Sequence, residues 1–111
     1  MGYYTKGAAY NRLNFPDSAI IYFDKCLEIN PNTDFGLNNR GSLLFNHYKK
    51  YKEALADFTK AIQINPQGDY YLNRSYCYYQ LGQVELAKAD VRAAIQKNIA
   101  IPDNFRQLLK L

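Results

Sequence analysis

The residues able to do covalent or metal chemistry in this chain are few and stand apart. His47 is the single histidine and sits among Lys49, Lys50 and Lys52. Cys26 and Cys77 are 51 residues apart, with no His or second Cys beside either. That spacing fits neither a zinc site nor a redox pair. Both fall where small, buried thiols packing as hydrophobes are expected. Glutamate occurs only at Glu28, Glu53 and Glu85, each at a polar helix position. Paired carboxylates, a Gly-rich phosphate loop and a nucleophile motif are all missing. The chain reads as a non-catalytic protein that calls for no metal and no cofactor.

Composition narrows the partners. The 111 residues suit a single domain, 1–111. No apolar run approaches the roughly 18 residues of a membrane span, and no signal peptide or myristoylation pattern opens the sequence, since Lys6 stands where that pattern needs Ser or Thr. The net charge is +4, but the basic residues are dispersed except around His47 and Lys49–Lys50–Lys52. Nucleic acid would want a concentrated stripe, so no nucleic-acid partner is expected. The basic cluster reads as a solvated turn rather than a contact for an acidic partner.

What positions the remaining side chains is a repeat. Gly7, Gly41 and Ser75 are spaced 34 apart, within Thr5-Lys6-Gly7, Asn39-Arg40-Gly41 and Asn73-Arg74-Ser75. Ala19, Ala54 and Ala87 recur, followed four residues on by Phe23, Phe58 and Val91, and then by Cys26, Ala61 and Ala94. Two copies close on Ile29-Asn30-Pro31 and Ile64-Asn65-Pro66. A period of this length means a stack of similar units and an extended surface rather than a closed pocket.

Each unit reads as two helices. Tyr3, Lys6, Gly7, Tyr10 and Leu13 follow the spacing of an amphipathic helix. Pro16 suits the first turn of the next helix, and Asn30-Pro31 ends it. The same reading predicts helices near 34–47, 51–64, 69–81 and 84–97. The turn at 46–51 is one residue longer than its counterparts and the loop at 66–69 one shorter, so the first helices keep the period. Phe105, Leu108 and Leu109 fall on one face of a short segment at 103–110, predicting a capping helix over Val91 and Ile95. The expected fold is all-α: an α-solenoid of three helix–turn–helix units, at 1–33, 34–67 and 68–99, plus that C-terminal cap. Nothing comparable precedes Tyr3, so a fragment of a longer parent is expected.

These residues resemble a tetratricopeptide repeat (TPR) array. Its pattern of an aromatic, Leu-Gly, Tyr, Ala, Phe, Ala and Pro reads here as Tyr3, Gly7, Tyr10, Ala19, Phe23, Cys26 and Pro31. The second copy reads Leu37, Gly41, Leu44, Ala54, Phe58, Ala61 and Pro66. The third reads Tyr71, Ser75, Tyr78, Ala87, Val91 and Ala94, with Ile99 for the closing proline. Lys6, Arg40 and Arg74 replace the Leu, a departure that points to the bacterial type of array. Small Gly and Ala residues are expected where the paired helices cross, Gly41 on Ala54 in unit two, with Phe and Tyr where the crossing opens.

The resemblance implies a groove lined by the first helices that binds a protein or peptide partner. Carried over by position, unit one supplies Tyr4, Ala8, Asn11 and Arg12. Unit two supplies Phe35, Asn38, Asn39, Ser42, Phe45 and Asn46. Unit three supplies Asp69, Leu72, Asn73, Tyr76, Tyr79 and Gln80. Asn38, Asn39 and Asn73 offer donors and acceptors to an extended backbone, and the aromatics offer rigid anchors. Asn39, Asn73, Phe45 and Tyr79 are expected to be exposed there. Some relatives grip chaperone C-termini through a carboxylate clamp. Of its positions only Asn39 matches, and Asp69 has the wrong sign, so no carboxylate-clamp chaperone tail is expected. Lys6, Arg40 and Arg74 read as stems packed along the helices with heads paired to neighbouring acids, Arg74 to Asp57 for example, rather than as a ladder for an acidic ligand. The alternative function is a structural spacer, or a self-association unit forming homo-oligomers through the uncapped first helix. The expected location is the cytoplasmic side, within a larger parent that could be membrane-tethered.

Overall fold

Proline and asparagine punctuate the chain. Pro16 opens a helix at the position where its missing N–H costs nothing. Asn30 and Asn65 close two others in extended backbone, each N–H still bonded to the last turn, and a proline follows each. The Thr33 hydroxyl then donates to the Asn30 carbonyl at 2.9 Å, fixing the path into the next unit. A computed structural model describes residues 2–111; Met1, assigned above to the first unit, lies outside them. The helices are α1 Tyr3–Arg12, α2 Pro16–Ile29, α3 Asp34–Asn46, α4 Tyr51–Ile64, α5 Gly68–Gln80, α6 Val84–Gln96 and α7 Asp103–Leu109. No strand occurs among the described residues.

Each helix packs on its sequence neighbour, α1 on α2, α3 on α4 and α5 on α6, and the second helix of one unit packs on the first of the next. The result is an α-solenoid 43 Å long and 24 × 21 Å across. The turns inside the three pairs use left-handed backbone at Asn14, Lys49 and Gly82. Glycine reaches that region freely, and asparagine is enriched there. Lys49 does so in the lengthened turn, where its ammonium donates to the Asn46 carbonyl at 3.0 Å. Because α1 stops at Arg12 and the chain reverses at Asn14, Leu13 is exposed rather than on the packed face.

The crossing of each pair is sized by complementary residues. A Cβ at Gly7 would lie 2.8 Å from the Phe23 ring, and one at Gly41 would lie 2.9 Å from Phe58. The space above Gly41 is thus claimed by the Phe58 ring. In unit three the facing residue is the smaller Val91, and Ser75 fits, fully buried, with its hydroxyl donating to the Leu72 carbonyl. Gly41→Leu should therefore overpack the pair, costing about 1–3 kcal/mol. A urea titration checks this; a variant as stable as the parent would mean that Phe58 can swing aside.

The guanidinium pairing differs from the expectation. Arg40 donates from Nε and Nη2 to Asp57 of α4, both at 2.9 Å, and from Nη1 to Asp24 of α2 at 3.0 Å. Arg74 makes the same two-pronged pair with Asp90 of α6, at 2.8 Å for both bonds, and not with Asp57. Each arginine thus reaches the second helix of its own unit. The hydrogen bonds to Asp57 and Asp90 raise the Arg40 and Arg74 pKa values further.

The cap also differs in detail. Phe105 and Leu109 are buried in a cluster with Ala87, Val91, Ala94 and Ile101. Leu108 is 55% exposed, and Ile95 stays exposed too. A helix of seven residues buries one narrow face, and the row through Phe105 and Leu109 takes it.

The thiols separate as well. Cys77 is fully buried, and burial pushes its thiol up to about 12. Cys26 is only half-buried and opens on a cleft beside Tyr4, Ile29 and Phe35. A thiol reagent at mildly alkaline pH should modify Cys26 alone in the folded chain, and Cys26→Ser should abolish the reaction. Native labelling of Cys77 would contradict this packing.

Candidate functional site

The first helices lie side by side, and their side chains tie them together. The Asn39 amide donates to the Tyr4 hydroxyl at 2.8 Å, joining α3 to α1. The Asn73 amide donates to the Asn38 amide oxygen at 2.9 Å, joining α5 to α3. Asn39 and Asn73 are half-buried, not exposed as expected, because part of their bonding capacity holds neighbouring units in register. Phe45 and Tyr79, also expected to be exposed, are half-buried by packing against other rings. An amide carries two donors and an acceptor. No other hydrogen bond among the described residues uses the Asn39 and Asn73 oxygens or the Asn38 nitrogen. A second tie lies nearby: the buried Tyr70 hydroxyl donates to Asp34 at 2.8 Å, and the Asn65 amide reaches the same carboxylate at 3.2 Å. Burial first, then this bond, raise the Tyr70 pKa.

Aromatic rings continue the surface. Tyr4 meets Phe35 edge-on, with ring centroids 4.5 Å apart. At the other end Phe45 lies 6.4 Å from Tyr76, which lies 4.5 Å from Phe105, and Tyr79 meets Phe105 edge-on at 5.8 Å. Burial raises the Tyr76 pKa. Phe45 and Tyr76 form a wall shared by two open clefts. One, of about 270 Å³, is completed by Ser42, Asn46, Phe58 and Asn73. The other, of about 380 Å³, is completed by Tyr79, Gln80, Pro102, Asn104, Phe105 and Leu108. Neither lining contains a charged residue. Sites that enclose small molecules run to about 300–1,000 Å³ and bury most of the ligand. These clefts are shallow and adjoin, which suits successive side chains of a chain-like ligand.

The sequence-derived candidates separate into groups. Asn38, Phe45, Asn73, Tyr76 and Tyr79 form one continuous network, whereas Asn39 is tied to Tyr4. Asn46 and Gln80 lie exposed at its edge and line the clefts. Tyr4 and Phe35 form a separate aromatic pair at the α1 end. Leu72 is half-buried against the core of unit three. Asn11 and Arg12 sit at the end of α1, and no side-chain hydrogen bond joins them to the network among the described residues. Sequence reasoning missed Pro102, Asn104, Phe105 and Leu108, which continue the surface past α5. The signal was present: Phe105 stands 34 residues after Tyr71, so the cap keeps the period of the first helices.

The comparisons agree with this architecture. A family model described as tetratricopeptide repeat matches residues 2–33, 37–67 and 68–96. No curated protein matches the chain by sequence. Among solved structures, the first TPR of Spaghetti (RPAP3) bound to the HSP90 peptide SRMEEVD superimposes with a TM-score of 0.84. It is 25% identical, over 97% of this chain and 88% of that one. The TPR domain of Arabidopsis OM64 gives 0.80 at 23% identity, over 86% and 78% of the two chains. The TPR2B domain of yeast Sti1, in a complex with pHsp70, gives 0.80 at 22% identity, over 86% and 77%.

Proposed function

The chain belongs to the tetratricopeptide repeat family, and from that premise we propose that it is a non-catalytic module binding an extended segment of another protein along α1, α3, α5 and α7. The observation that carries this reading is the pair of adjoining uncharged clefts sharing the Phe45–Tyr76 wall, with half-used asparagine amides beside them. The aromatics supply apolar area at low conformational cost, and the amides supply bonds to a peptide backbone. The solved relatives in complex with chaperone segments support peptide binding as the general role. The ligand chemistry differs here. Asn39 already donates to Tyr4, and Asn73 donates to Asn38 where a clamp would want a cation. The ligand is therefore an internal segment with two apolar side chains, not a terminal carboxylate.

The test uses a peptide selected on this chain from a random library, made with a free and with an amidated C-terminus. Calorimetric titration should give the same affinity for both forms. It should also give little change between low and high salt, because no charged side chain lines the clefts. Loss of binding on amidation would overturn this choice of ligand.

A further inference from the structure

The open face of unit one repeats, position for position, a surface that is covered in unit two. Leu37 and Arg40 stand 34 residues after Tyr3 and Lys6. Leu37 is 3% exposed and clusters with Leu27 of the preceding α2, and Arg40 reaches Asp24 of that same helix. Tyr3, by contrast, is 37% exposed, and Lys6 is exposed.

The uncovered face is also ordered and charged. The Tyr22 ring stacks on Tyr10, with centroids 5.5 Å apart and planes 4° apart, and on Tyr3 at 6.1 Å. The Lys6 and Lys25 ammonium groups lie 5.6 and 5.3 Å from the Tyr22 centroid. Tyr22 occupies the place that Asp57 holds in unit two and Asp90 in unit three, the acids that neutralise Arg40 and Arg74. Unit one has lost its internal counter-charge, and no ion pair reaches Lys6 or Lys25 among the described residues.

We infer that this face docks an amphipathic helix of another protein carrying an Asp or Glu one turn before an aliphatic residue, as Asp24 and Leu27 of α2 dock on α3. The carboxylate meets Lys6 and Lys25, and the aliphatic side chain covers Tyr3. A second copy of this chain fits badly. Face to face, four lysines would meet, and at the far end Arg106 of α7 and Lys110 just after it stand against Asp103 alone. Like charges brought together at an interface work against association.

The probe is a hydrocarbon-stapled peptide with the sequence of residues 16–32, the helix that already solves this packing problem inside the chain. Stapling offsets the marginal stability of so short a helix in water. Its binding to the full chain is read by fluorescence anisotropy. Lys6→Glu with Lys25→Glu should weaken binding about tenfold or more, the contribution of a charge-assisted hydrogen bond. Asp24→Lys in the peptide should restore it, while Tyr79→Ala should leave it intact. Both lysines are exposed, so the variant should melt like the parent. The proposal is overturned if the peptide does not bind, or binds regardless of Lys6 by replacing the resident α2. It is equally overturned if binding depends on Tyr79, or if the chain alone dimerises through this face in sedimentation.

Discussion

Truncating Phe105 to alanine is expected to cost about 3–5 kcal/mol of stability, the range for removing a buried aromatic from a core. Phe105 is nearly fully buried, rests on Tyr76, and closes the cluster containing Val91, Ala94 and Leu109. In a stacked array each unit leans only on its neighbours, so the loss should fray unit three first. Leu108→Ala, three residues away, should change stability by less than about 0.5 kcal/mol, as exposed substitutions usually do. Urea denaturation of the two variants separates the cases. Equal costs would show that α7 does not seal the stack through the row found here.

Tyr79→Ala carries the largest expected effect on binding. Tyr79 stands edge-on to Phe105, half-buried, with its ring lining the larger cleft. Removing an aromatic anchor at an interface typically costs about 2 kcal/mol or more, roughly a 30-fold loss of affinity. Asn73→Ala should cost less, about 0.5–1.5 kcal/mol, the net contribution of one hydrogen bond. Part of that loss should appear as stability, because Asn73 also holds α5 to α3 through Asn38. Affinity and melting temperature, measured together, apportion the two. A Tyr79→Ala variant that binds like the parent would remove the larger cleft from the site.

Much of the fold was legible because packing in a repeat is local. Gly7, Gly41 and Ser75 mark tight crossings, Ile-Asn-Pro marks helix ends, and together they place the helix boundaries within a residue or so. What the pattern could not reveal was which neighbouring helix a side chain reaches. Asp57 and Asp90 both lie one helix from Arg74, and the guanidinium turns to Asp90 of its own unit. The asparagine ties escaped for the same reason: Asn39 meeting Tyr4 depends on the angle between first helices, which residue types do not encode. The cap was recognised by its apolar spacing. Seven residues are too few, however, to tell that Leu108 faces the groove while Leu109 enters the core. Tyr22 standing where an acid belongs becomes meaningful only once Arg40 and Arg74 are seen to need their acids.

The most direct test of the central claim is chemical-shift mapping of the isotope-labelled chain with the selected peptide bound. The predicted result is that perturbed amides concentrate on the inner row, at Asn38, Asn39, Ser42, Asn73, Tyr79 and Leu108, with α2, α4 and α6 little affected. Perturbations centred instead on the outer faces of α2, α4 and α6 would contradict binding along the first helices.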